Sequence, residues 1–130
     1  SLQTRFNADG GANYEYVEDL INAVTGAYTG SGNVGQTQFG SVGCAGAGAG
    51  SARDAGYLEL IINNYASTQF DKYGKIESMR NSNTGSASTW RRIITHGVWQ
   101  SASALNRITI STVSLSAFTS GSIATLYGIT

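Results

Sequence analysis

Apolar and polar positions alternate with a period of two along the second half of this chain, in runs of strand length. Tyr57–Asn64, Phe70–Arg80, Thr89–Gln100, 105–115 and 122–130 are strand-like runs at regular spacing, the last two alternating and rich in β-branched residues, with Asn, Ser and Gly between runs at 63–69, 81–88, 101–104 and 116–122. Such short runs with small-residue breaks predict β-strands. The last two, joined by the turn-forming stretch around Ser116–Gly121, predict an antiparallel C-terminal hairpin with one buried face, and place Phe118, Leu126 and Ile129 in the core.

The first half is less regular. Tyr14, Tyr16, Glu18 and Leu20 share a face if residues 14–21 are extended. Tyr16, Leu20 and Ala23 are also spaced for a short helix. The aromatics favour a strand, and a helix over 14–24 is the rival. Residues 1–13 are polar with a Gly-Gly break, and predict an N-terminal arm that reaches onto a neighbour and carries Arg5 and Phe6. Residues 25–56 hold Gly30-Ser-Gly-Asn-Val-Gly35 and the run of Gly and Ala at 43–51; they predict a long Gly-rich loop, with one short strand at 36–42. No helix of convincing length is predicted after residue 24. The expected fold is an all-β antiparallel sandwich of jelly-roll type, as one domain over 14–130 preceded by the arm.

Composition narrows the function. The chain has 130 residues, of which 41% are hydrophobic and only 12% charged, about half the usual charged share. Ser, Thr, Asn and Gly take the place of charge, a surface suited to contact with neighbouring subunits. Eight basic and eight acidic residues cancel, so no net field draws the chain to nucleic acid. No apolar run approaches a membrane span, and the N-terminus lacks the apolar segment of a secretion signal. Production in a cytoplasm, or assembly there into a particle, is the simplest expectation. Cys44 is the sole cysteine, which excludes a disulfide within the chain.

Candidate chemistry is thin. Gly30-x-Gly32-x-x-Gly35 has the letters of a dinucleotide fingerprint, but no helix is predicted to follow and hold a pyrophosphate. His96, the only histidine, shares a strand face with Trp90, Arg92, Ile94 and Val98; with no Cys or His at zinc spacing it predicts a core or interface imidazole. Cys44 has no basic neighbour to activate it. The carboxylates Asp9, Glu15, Glu18, Asp19, Asp54, Glu59, Asp71 and Glu77 form no marked glycosidase pair. No catalytic residue, cofactor or metal is expected. Trp90-Arg91-Arg92 predicts salt bridging or a stacked Trp–Arg contact at an interface. Trp99, beside polar loop residues, predicts packing at the sandwich end, with a sugar platform as the alternative.

From about residue 57 onward the order of features resembles a family of tailed-phage virion proteins with jelly-roll domains. The matching pieces are Ile61-Ile-Asn-Asn-Tyr65, Lys72 to Lys75, Gly97-Val-Trp99, Ile108-Thr-Ile110, and Phe118-Thr-Ser-Gly-Ser122 with Leu126-Tyr-Gly-Ile129. The resemblance implies a structural, non-enzymatic virion surface protein, commonly trimeric. The first expectation is a capsid-decorating (cement) protein that binds the major capsid protein; the alternative is a fibre tip that binds a host-surface glycan. Arg5, Phe6, Trp90, Arg92, Trp99 and Tyr127 are then the expected interface residues.

Overall fold

The computed structural model describes residues 2–22, 25–42, 55–84, 87–112, 118 and 120–128. Among them the chain forms eight strands and no helix: β1 (Leu2–Phe6), β2 (Tyr14–Asn22), β3 (Tyr28–Gln36), β4 (Phe39–Val42), β5 (Ala55–Asn63), β6 (Lys72–Thr84), β7 (Ala87–Trp99) and β8 (Ile108–Thr112). They make two antiparallel sheets, a three-stranded sheet in the order β4-β1-β8 and a five-stranded sheet in the order β3-β2-β7-β6-β5. Packed against each other, they are the β-sandwich that the sequence predicts.

Alternation decides which side chains meet between the sheets. Along β7, Ile93, Thr95 and Trp99 are buried, whereas Arg92 and His96 are exposed. Along β6, Lys72, Ile76 and Ser78 are buried and Tyr73 is exposed. Side-chain period two is the property of a strand with one covered face. The core gathers Leu2, Phe6, Tyr14, Tyr16, Phe39, Ile76 and Trp99, with Leu58, Leu60, Ile62, Leu105, Ile108 and Ile110 half-buried around it. Phe39 sits at its centre, edge-on to Phe6 at 5.3 Å and to Tyr14 at 5.2 Å between ring centroids. Its ring occupies the space over Gly97, where an added Cβ would also lie 2.7 Å from the Glu15 carbonyl oxygen.

Several expectations change. Residues 2–6 are no arm: β1 is the middle strand of the smaller sheet, paired to β4 and to β8. Every second residue of Leu2-Gln-Thr-Arg-Phe6 is buried, the alternation of a strand in a run too short and polar to advertise itself. The sandwich therefore begins at β1, not at residue 14. The strand at 14–21 is confirmed as β2, and the helix alternative falls away. Part of the Gly-rich stretch forms β3, an edge strand whose glycines lie beside β2, with Gly32 opposite Val17 and Gly30 opposite Asp19. The short strand expected at 36–42 is β4. β6 and β7 extend into the break expected at 81–88, β6 running to Thr84 and β7 starting at Ala87.

The C-terminal hairpin is corrected too. β8 forms, but residues 120–128 take no strand. Leu126 is 83% exposed and Phe118 52% exposed, so neither is core. Ile129, Cys44 and the 43–51 run lie outside the described residues.

Candidate functional site

The end of the sandwich near Trp99 is closed by polar locks. The Trp99 Nε1–H donates to Asp9 Oδ2 at 2.7 Å, the Asn13 amide donates to the same oxygen at 3.0 Å, and the Gly11 N–H donates to Asp9 Oδ1 at 2.8 Å. The Asn13 amide, then the Trp99 indole, hold the Asp9 carboxyl below its ordinary 3.8. The Phe6 N–H donates to the Tyr14 hydroxyl at 2.9 Å, and that hydroxyl donates to the Phe6 carbonyl at 3.3 Å. Burial pushes the Tyr14 phenol above its ordinary 10.0. Lys72, fully buried, donates from Nζ to the carbonyls of Phe70 (2.6 Å) and Ser101 (3.0 Å). Asn7, in the left-handed region at φ 50°, donates to the Ala104 carbonyl and accepts from the N–H groups of Asn106 and Arg107. The bonds of Tyr14 with Phe6 and of Lys72 satisfy buried polar groups that would otherwise cost about 1–3 kcal/mol each. Together the locks fasten loops to strands.

This closed end takes two expected interface residues out of reach. Phe6 is 0% and Trp99 2% exposed, so both are core. The same burial removes Trp99 as a sugar platform. Arg5 is spent within the chain, its Nε donating to the Thr37 carbonyl and its Nη2 to Gln38 Oε1. It straps β1 to the turn before β4.

The outward face of the five-stranded sheet holds the rest. Arg92 meets Glu77 through Nη2 at 2.8 Å and Nε at 2.9 Å, while Lys75 approaches the same carboxylate at 3.7 Å. Glu59 stands directly across from Glu77, a like-charge pair that those two cations offset. His96 lies on this face between Val17 and Lys75, and is exposed rather than core. Tyr28, its hydroxyl bonded to Asp19 Oδ1, together with Tyr57, Tyr73 and Trp90, presents exposed aromatic rings. The Trp90-Arg91-Arg92 run divides by parity: Trp90 and Arg92 are exposed, and Arg91 turns to the inner side. Gly30–Gly35 belongs to β3, so no helix N-terminus stands behind the dinucleotide-like letters. Among the described residues no three metal-ligating side chains gather, and no helix is long and apolar enough to cross a membrane.

The C-terminal segment is the other candidate. Ile123 is 91%, Leu126 83% and Tyr127 81% exposed. Isolated exposed apolar residues are ordinary; here three fall within five positions, outside any strand. Beside the sandwich, β8 is an edge strand of the smaller sheet. Sequence reading placed Tyr127 at an interface, and its exposure keeps it available. It missed that Leu126 and Ile123 join it. Their apolar character alone does not tell a buried hairpin from an exposed segment.

No family model, no curated protein and no solved structure matches this chain.

Proposed function

We propose that this chain is a structural subunit that associates with copies of itself on the surface of a tailed-phage virion, as a capsid-decorating (cement) protein bound to the major capsid protein. The observation that supports this reading is the apolar C-terminal segment, with Ile123, Leu126 and Tyr127 exposed and the edge of β8 beside the same sandwich. A segment with apolar side chains and the edge strand of a sheet are complementary between two copies, by strand addition. The low charge content suits such packing. A trimer of jelly-roll-type subunits is the assembly that the resemblance to virion proteins suggests.

Light scattering on the full chain tests it. Copies associate with rising concentration, and Ile123→Ser, Leu126→Ser and Tyr127→Ser together return the chain to a monomer with the melting temperature of the core unchanged. A wild-type chain that stays monomeric at high concentration and binds no capsid lattice overturns the reading. A major capsid gene beside this one supports decoration of the head, and a tail gene moves the subunit to a fibre.

A second reading, a fibre-tip domain for host-surface glycan, is favoured by the exposed rings of Tyr57, Tyr73 and Trp90 beside charged neighbours on the outward sheet face. Apolar ring faces beside hydrogen-bonding groups are how sugars are held. Glycan-array binding lost in Tyr73→Ala selects this reading.

A further inference from the structure

Arg80 and Arg91 stand directly opposite each other on the neighbouring strands β6 and β7. Both continue the buried parity of their strands, Arg80 following Ile76 and Ser78, and Arg91 preceding Ile93 and Thr95. They therefore lie on the inner side of the five-stranded sheet, toward the end remote from Trp99. Each Nε is buried without a hydrogen-bond partner, and so is the hydroxyl of the fully buried Ser78 one same-face step from Arg80.

Charges of one sign facing each other across an antiparallel pair repel. A half-buried guanidinium without an acceptor also loses its hydration uncompensated. Nothing among the described carboxylates relieves this. The ion pairs there are both made by Glu77, on the opposite side of the sheet, with Lys75 and Arg92. Asp9 is engaged at the far end with Trp99. Glu18, on the inner side, pairs in register with Thr95, four residues along β7 from Arg91, or about 13 Å.

We infer that Arg80, Arg91 and Ser78 form a binding site for an oxyanion, a carboxylate or a phosphate group. Two guanidinium forks at adjacent positions offer parallel N–H donors that match two oxygens of one such group, and the Ser78 hydroxyl supplies a neutral donor. The anion neutralises the repulsion that the pair carries alone. A sugar acid and a phosphate ester present the same oxygens, so the chemistry is shared and the source is left to experiment. The inference stands apart from the assembly reading, since it uses the inner sheet face and not the C-terminal segment.

Nitrogen-15 NMR of the arginine Nε–H groups in the full chain tests it, with inorganic phosphate and glucuronate titrated separately at constant ionic strength. Saturable shifts of two Nε–H resonances with either probe are expected, and which probe acts identifies the source. Arg80→Lys and Arg91→Lys each keep charge but lose the fork, and bind about tenfold more weakly, the factor that one charge-assisted hydrogen bond supplies. Arg92→Lys, across the sheet, binds as wild type does. Absence of saturation with both probes, or equal affinity in all three variants, overturns the site. Should a lysine variant fail to fold, the wild-type titration decides alone.

Discussion

Residues 2–6 and residues 120–128 are both short and both carry apolar side chains, yet they end in opposite environments. Leu2, Thr4 and Phe6 are buried, while Ile123, Leu126 and Tyr127 are almost fully exposed. Apolar content does not account for this, since the C-terminal segment is the more apolar of the two. Backbone partners do. β1 pairs on both sides, and Tyr14 clasps both backbone groups of Phe6. Residues 120–128 take part in no strand pairing. Fixing a residue's backbone costs about 1–2 kcal/mol, and a segment stays buried only where hydrogen bonds and packing together exceed that cost. A strand is thus a property of its neighbours as much as of its own letters.

The contrast is sharpest at Trp99. Trp99→Ala removes the ring that packs on Phe6 and Tyr14 and leaves Asp9 without its indole donor, and should cost about 3–5 kcal/mol in denaturant unfolding. Leu126→Ala should cost less than about 0.5 kcal/mol in the monomer. Equal losses at the two positions would end the comparison. Next comes Gly97→Ala, where the new methyl collides with Phe39 and the Glu15 carbonyl. It should cost about 1–3 kcal/mol by overpacking, and a melting temperature equal to wild type would show that the sheets separate more readily than described.

Two acids give smaller effects of opposite sign. The Asp9 carboxyl is held below 3.8 by Asn13 and Trp99. Its contribution is complete above that pH and is lost as pH falls through the lower folded value. Asp9→Asn should therefore cost about 1 kcal/mol at neutral pH and flatten the stability curve below about pH 4. Burial pushes the Glu18 carboxyl above its ordinary 4.5. The folded state then holds the proton more tightly, so stability falls as pH rises from 4.5 through the folded value. Glu18→Gln should raise the melting temperature slightly at neutral pH, and a decrease would indicate a partner that stabilises the charged form.

The sheet that could be read directly was the one built from long alternating runs. β5, β6 and β7 stand close to where Leu58, Leu60 and Ile62, and then Ile76 and Ile93, set the period. β3 escaped because Gly30, Gly32 and Gly35 offer no side chains to alternate, while its partner β2 supplies the order. β1 escaped because Leu2 and Phe6 are separated by Gln, Thr and Arg, and their burial depends on β8, a hundred residues away. The expected interface residues divided on the same ground. Trp90, Arg92 and Tyr127 are on the surface, whereas Phe6 and Trp99 are the core that their size alone would fit. The Arg80–Arg91 juxtaposition was invisible before the β6–β7 register was known.

The β6–β7 pair also sets a sequence of events in time. Its strands pair continuously from Lys72 with Trp99 to Thr84 with Ala87, across a gap of two residues. Pairing at so small a sequence separation is fast, and each further pair adds to a ribbon already formed. β1 must instead find β8, with Leu2 opposite Thr112 and Phe6 opposite Ile108, and encounters at such sequence separation are slow. The larger sheet can therefore assemble around the hairpin while the smaller one waits. On a ribosome, the β8 side of β1 stays unpaired until residues 108–112 have emerged, so β1 waits longer for that partner than for β4.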